Sequence, residues 1–107
     1  MPKVTVKFPA DELPEEAIPS DVQRAILELA EEGVEVEGHR LKDILEEIDV
    51  RADRKFPDPE AIKYILVDCG VAATLGIELF KIGLQHLWPE IKKRVRKYSD
   101  ASGSEGS

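Results

Sequence analysis

The sequence has few of the residues that cross-link, stack or react. Its 107 residues include one cysteine, Cys69, which excludes an intramolecular disulfide. Aromatic residues make up 6% of the chain and hydrophobic residues 42%, so we expect a mainly aliphatic interior. No charged, apolar and small-residue pattern typical of a secretion signal opens the chain. We therefore expect a single domain in a reducing cytoplasm.

Sequence patterns that carry chemistry are also missing. The chain contains no GxxxxGK[ST], GxGxxG or GxSxG motif and no CxxC or HxxxH spacing. Cys69 has two candidate imidazole partners, His39 and His86, but neither comes with a third group that would orient it. Asp68 and Glu78 would lie about 15 Å apart on one helix, too far for work on one bond. We expect no enzymatic activity, no cofactor and no metal site.

Positive charge is scarce in the first half of the chain. Residues 1–60 carry 17 acidic and 8 basic side chains, and the whole chain has a net charge of −7. This sign disfavours direct binding of nucleic acid. The acidic side chains that we expect to form one face are Glu28, Glu31, Glu32, Glu35, Glu37, Glu46 and Glu47. The basic end that we expect near the C-terminus consists of Lys92, Lys93, Arg94, Arg96 and Lys97.

Alternation of apolar and polar residues predicts a short N-terminal strand. Val4, Val6 and Phe8 share one face over residues 3–8. Residues 34–37 alternate in the same way. They either pair with the first strand in a minimal sheet or form an extended linker.

Two short amphipathic helices are predicted next. A capping-box pattern at Ser20 and Gln23 starts the first, and Gly33 is placed to end it. Its predicted buried stripe is Val22, Ala25, Ile26, Leu29 and Ala30. Apolar residues at helical spacing over residues 41–48 predict the second helix, and the charged residues 51–55 predict a loop after it.

The apolar run after Asp58 and Pro59 predicts one long helix to about residue 88, roughly 45 Å if straight. It is apolar nearly all round, which is typical of a helix that lies centrally or against another copy. Its longest uncharged stretch, residues 69–77, is too short to span a membrane. Small residues on this helix would allow another backbone to approach closely. The face that carries them consists of Gly70, Ala73, Gly76, Phe80, Gly83 and Leu87.

The expected fold is mostly α with a minor β element: a short N-terminal strand and two short helices packed on one long central C-terminal helix, in the manner of a helical bundle. Pro89 is expected to kink or restart the helix. Residues 1–98 would form the domain, and the Ser/Gly-rich residues 99–107 a disordered tail.

These surfaces favour a non-enzymatic protein–protein interaction module that self-associates through the long helix at about residues 61–88. We expect its partner to be a protein, either another copy of the chain in a homo-oligomer or a different protein. One alternative is an acidic inhibitor or antitoxin-like protein that imitates nucleic-acid charge on a basic partner. Another is a peripheral membrane adaptor held by Trp88 and the basic end, although membrane contact is the weaker expectation because one tryptophan and five charges anchor poorly.

Overall fold

The computed structural model describes residues 3–54, 62–72 and 75–105. It contains more strand and shorter helices than the sequence pattern suggests. The elements in chain order are β1 (Lys3–Pro9), a 3₁₀ turn (Ala10–Glu12), α1 (Pro19–Glu31), β2 (Glu35–Val36), β3 (His39–Arg40), α2 (Leu41–Ile44), β4 (Leu45–Arg54), β5 (Ile62–Val71), α3 (Ile77–His86) and α4 (Trp88–Glu105).

The prediction of one long central helix is wrong. Residues 62–71 form β5, and the helical part of the run begins only at Ile77. The predicted start at Asp58 and Pro59 lies outside the described residues. The sequence of β5 is nearly continuously apolar, and periodicity alone cannot distinguish a short run of this kind from a buried helix. The fold is therefore α+β, and the prediction of a mostly α helical bundle is corrected.

The second predicted helix, residues 41–48, is helix in its first half and strand in its second half. Helix α2 is a single turn that ends at Ile44, and the chain continues as the ten-residue β4. From Ile48 onward, apolar and charged residues alternate through Val50 and Ala52. This period of two overrides the helical spacing because it places one apolar row on a sheet face. The loop predicted at residues 51–55 is wrong for 51–54.

The main sheet has three antiparallel strands in the order β1-β5-β4. Val6, Val67 and Val50 lie opposite one another across it, and they form part of the apolar core face. The next row, which includes Thr5 and Asp68, points to the opposite face. Helices α1, α3 and α4 contribute buried side chains to the same core as Val6 and Val67, so they cover one face of the sheet and leave the other exposed.

Helix α1 follows the predicted stripe closely. Its buried residues are Val22, Ala25, Ile26, Leu29 and Ala30. The helix starts one residue before the predicted cap: Pro19 occupies the first turn, and the Asp21 carboxylate accepts a hydrogen bond from the Ile18 backbone at 3.0 Å. At the C-terminal end Gly33 adopts φ +82°, and the Val34 amide donates to the Leu29 carbonyl. This is a Schellman cap.

Strand β2 pairs with β3 instead of with the first strand, which corrects the minimal sheet considered for residues 34–37. The two-residue turn between them consists of Glu37 at φ +50° and Gly38 at φ +82°. Positive φ at both positions is the conformation of a type I′ hairpin turn. The result is a small, separate hairpin.

Helix α4 begins at Trp88 after a turn at Leu87, so the helix restarts near Pro89. It continues to Glu105, and the tail predicted to be disordered from residue 99 is helical as far as that residue. Ile91 and Val95 are fully buried and join α4 to the core. Burial of an aliphatic side chain of this size contributes about 1.5–3 kcal/mol to folding.

Candidate functional site

The face predicted on the long helix is not continuous in the structure. Gly70 lies in β5, Gly76 precedes α3 as its N-cap, and Leu87 lies in the turn after it. Phe80 is fully buried in α3. Ala73 falls outside the described residues. Phe80 and Gly83 are the members of the predicted face that lie on α3, and both are buried, so the predicted face does not form an exposed helix surface.

Gly83 serves packing within the chain. It is buried, and a β-carbon at this position would overlap Cγ1 of Val36 and lie 3.6 Å from Cγ of Glu37. The β2–β3 hairpin therefore approaches α3 closely at this glycine. Gly76, by contrast, has nothing within 4 Å of a β-carbon. The small residues predicted as one surface thus have different environments.

Helix α3 carries most of the exposed large apolar side chains in the described part of the chain. Five such side chains are exposed among the described residues, and α3 carries three of them: Ile77 at 40%, Leu79 at 47% and Ile82 at 44% exposure. The other two, Ile18 and Leu27, are at the start and middle of α1. A cluster of exposed apolar residues often marks an interaction site.

Three polar side chains of α3 are also exposed, Glu78 in the first turn and Gln85 and His86 in the last. Glu78, Ile82 and His86 are spaced by four residues and so follow one stripe along the helix. We call the exposed side chains of Glu78, Leu79, Ile82 and His86 the α3 surface; Ile77 is two residues before Leu79 and lies on another side of the helix. The charge of the α3 surface is small because Glu78 and the half-exposed Lys81 are the only Asp, Glu, Lys or Arg residues of the helix.

Part of the predicted acidic face pairs with the predicted basic end. Arg94 donates two hydrogen bonds to Glu32, each 2.6 Å long, and its guanidinium is 3.8 Å from Glu28. The hydrogen bonds from Arg94 lower the pKa of the Glu32 carboxyl below 4.5. Tyr98 donates a hydrogen bond to Glu28, and Arg24 lies 3.9 Å from the Tyr98 ring centre. These contacts join α1 to α4.

Glu12 forms a second set of contacts with α4. Its carboxylate accepts hydrogen bonds from Lys92 at 2.6 Å and from the Trp88 indole at 3.1 Å, and its backbone carbonyl accepts one from Arg96. The pKa of Glu12 is lowered, first by the bond from Lys92 and then by that from Trp88. The sequence suggested that acidic and basic side chains would lie on separate surfaces. At these positions they are in contact instead.

The other residues of the two charged sets are exposed. On the acidic side these are Glu31, Glu35, Glu37, Glu46 and Glu47, of which Glu47 lies 3.6 Å from Lys3. On the basic side, Lys93 and Lys97 remain exposed. A groove of about 1200 Å³ between α1 and α4 has walls of both charge signs, including Glu31, Glu90, Lys93 and Lys97. It offers no single-sign surface to a charged partner.

Trp88, the residue considered for membrane attachment, is buried. Its ring stacks on Phe8 with a centroid distance of 4.4 Å and an angle of 9° between the planes. Among the described residues, no helix is both long enough and apolar enough to cross a membrane. The same part of the chain holds no group of three His, Cys, Asp or Glu side chains placed to bind a metal ion.

Asp68 and Cys69, considered for chemistry above, lie on opposite faces of β5. Thr5 donates a hydrogen bond to one Asp68 oxygen at 2.6 Å, and Arg51 donates to the other at 2.7 Å. The bond from Arg51 is the main reason that the pKa of Asp68 is lowered. Burial raises the pKa of the Cys69 thiol to about 12. The lowered pKa makes the Asp68 carboxylate a weaker base, and the raised pKa keeps the Cys69 thiol protonated at neutral pH, so neither group is prepared to react.

Glu78 and Asp68, which the sequence put on one helix, lie on α3 and β5 and do not form a pair. Signals for the observed α3 surface were present, since Leu79 and Ile82 are apolar residues beside Glu78 and Lys81. The sequence pattern does not separate them from the rest of the predicted long helix, which is apolar nearly all round. Comparison with protein-family models, curated proteins and solved structures gives no match to this chain.

Proposed function

We propose that this chain is a non-enzymatic protein–protein interaction module that self-associates through the α3 surface. The observation that carries the proposal is the exposure of Leu79 and Ile82, three residues apart and therefore neighbours, on one side of α3. Removal of such side chains from water is the main driving force for protein association. The contact replaces the long-helix face that the sequence suggested.

The non-enzymatic part of the proposal is supported by the state of the chemical groups. Asp68 is held by Thr5 and Arg51 at both oxygens, and Cys69 keeps its proton because its surroundings are apolar. Neither environment prepares the group to transfer a proton or to attack a substrate.

Self-association ranks above charge mimicry because Glu28 and Glu32 already bind basic side chains of α4. It ranks above membrane attachment because the indole of Trp88 is stacked and hydrogen-bonded inside the fold. We propose the cytoplasm as the compartment, because thiols stay reduced there and Cys69 is a single buried cysteine that cannot form an intramolecular disulfide.

Sedimentation over a concentration series tests the proposal. A standard interface buries about 800 Å² per partner, more than a few half-exposed side chains supply, so we expect a dissociation constant on the order of 100 µM. The double variant Leu79→Ser/Ile82→Ser should remain monomeric. The matched control Ile18→Ser/Leu27→Ser removes two equally exposed apolar residues of α1 and should associate like the wild type.

Two results would overturn the proposal. A wild-type chain that stays monomeric to about 1 mM, ten times the expected dissociation constant, does not self-associate in any useful sense. Equal loss of association in the α1 control would place the contact elsewhere.

A further inference from the structure

The α3 surface has an internal symmetry. Glu78, Ile82 and His86 lie on one exposed stripe, and Ile82 is four residues from each of the other two. In a two-fold contact, residue i of one copy meets residue j of the other, and j meets i. A two-fold axis at Ile82 satisfies this condition by bringing Glu78 of each copy next to His86 of the other.

We infer that the occupant of the α3 surface is a second copy of this chain, with the two α3 helices antiparallel and a two-fold axis at Ile82. The inference rests on the proposed self-association and adds the arrangement of the two copies. It predicts a closed dimer instead of an open chain of subunits.

The charges on α3 favour this direction. The chain as a whole carries −7, but the only Asp, Glu, Lys or Arg side chains of α3 are Glu78 and Lys81, so a second α3 meets no strong repulsion. In a parallel pair, Glu78 would face Glu78. In an antiparallel pair, Glu78 of each copy lies beside His86 of the other, and an imidazole N–H can donate a hydrogen bond to the carboxylate.

Cysteine cross-linking tests the position of the axis. In the inferred dimer the two Ile82 side chains face each other, so Ile82→Cys should form a covalent dimer on mild oxidation. The two Leu79 positions would lie about 9 Å apart along the helix direction. Leu79 is about as exposed as Ile82, so Leu79→Cys is a matched control that should not form a covalent dimer. Wild-type protein is the background control because Cys69 is buried.

Each outcome decides between arrangements. A parallel pair would cross-link at both positions, and an open head-to-tail contact at neither; either result overturns the inference. Sedimentation of the reduced Ile82→Cys protein is measured alongside. If the protein is a dimer by sedimentation but Ile82→Cys does not cross-link, the chain self-associates and the two-fold arrangement is wrong. If the wild-type chain is monomeric, both self-association and the two-fold arrangement are wrong.

Charge variants provide a second measurement that needs no new cysteine. His86→Lys should tighten the dimer roughly threefold to tenfold, since it puts a full positive charge beside Glu78 twice. Glu78→Lys should weaken it, and Glu78→Lys/His86→Glu should restore it because the pair is reversed. Tighter association of Glu78→Lys, or no recovery in the double variant, would overturn the arrangement.

Discussion

Arg94 of α4 and Glu32 near the end of α1 form a two-bonded ion pair, with Nη1 and Nη2 of the arginine each 2.6 Å from a carboxylate oxygen. This geometry fixes the orientation of both planar groups. Only 20% of the Arg94 side chain is exposed. The pair therefore links the two helices at the point where the sequence suggested two separate charged surfaces.

Arg94→Gln should lower the melting temperature at pH 7 by removing this link. The folded pKa of Glu32 is depressed, so the stabilisation is fully present above the ordinary value of 4.5 and is lost as pH falls through the folded value. The difference in melting temperature between variant and wild type should therefore shrink as pH falls below 4.5. Thermal unfolding followed by circular dichroism between neutral and acid pH measures it.

The control is Glu31→Gln, which removes an exposed neighbouring carboxylate that has no ion-pair partner in the described part of the chain. It should leave the melting temperature almost unchanged. An Arg94→Gln effect of the same size at neutral and acid pH would show that packing, not the ion pair, links the helices.

Gly83→Ala should destabilise the fold by about 1–3 kcal/mol because its β-carbon would overlap Val36. Gly76→Ala, at a position with free space, should change stability by only a few tenths of a kcal/mol. Urea unfolding measures both. In a double-mutant cycle, Val36→Ala should cost less beside Gly83→Ala than alone. Equal effects of the two glycine variants would contradict the close approach of the hairpin to α3.

Glu37→Asn should stabilise the protein by about 0.5–1 kcal/mol, since Asn tolerates positive φ better than Glu and suits the first position of a type I′ turn. Glu35→Asn is the control, because Glu35 lies in strand β2, where asparagine is disfavoured. Chemical unfolding of both variants measures the effect. A stabilising Glu35→Asn would mean that loss of negative charge, not backbone conformation, is responsible.

The Cys69 thiol should resist iodoacetamide at pH 8 in the folded protein and react in urea, as followed by intact mass. Its pKa is raised to about 12 by burial, so little thiolate is present while the chain is folded. In the unfolded chain the thiol ionises near 9.0, and stability should therefore decrease as pH rises from that value toward 12. Alkylation of folded protein at the unfolded rate would show that β5 opens readily.

The sequence predicted β1 and α1 well because each has one wet and one buried face. In such elements the period is visible: two for Val4, Val6 and Phe8, and 3.6 for the stripe from Val22 to Ala30. The cap at Gly33 could be predicted for the same reason, since only a few residues accept its backbone conformation.

The central strand could not be predicted in this way. Strand β5 has neighbours on both edges and a buried apolar face, and Leu66 on its other face is also buried, so its sequence shows no alternation. Its β-branched residues Ile65, Val67 and Val71 were the available signal. Because the run from β5 to α3 resembles one long apolar helix, the sequence does not separate the α3 surface from it, and the pairing of Glu28 and Glu32 with Arg94 could not be foreseen.

The position of β5 in the sequence also determines when the sheet can form. Both edge strands, β1 and β4, pair with β5, which follows them in the chain. During synthesis, the first 54 residues contain both edges but not the strand between them. Neither strand has its partner in the sheet until β5 has left the ribosome, and formation of the sheet then requires β5 to reach back across about 60 residues to β1.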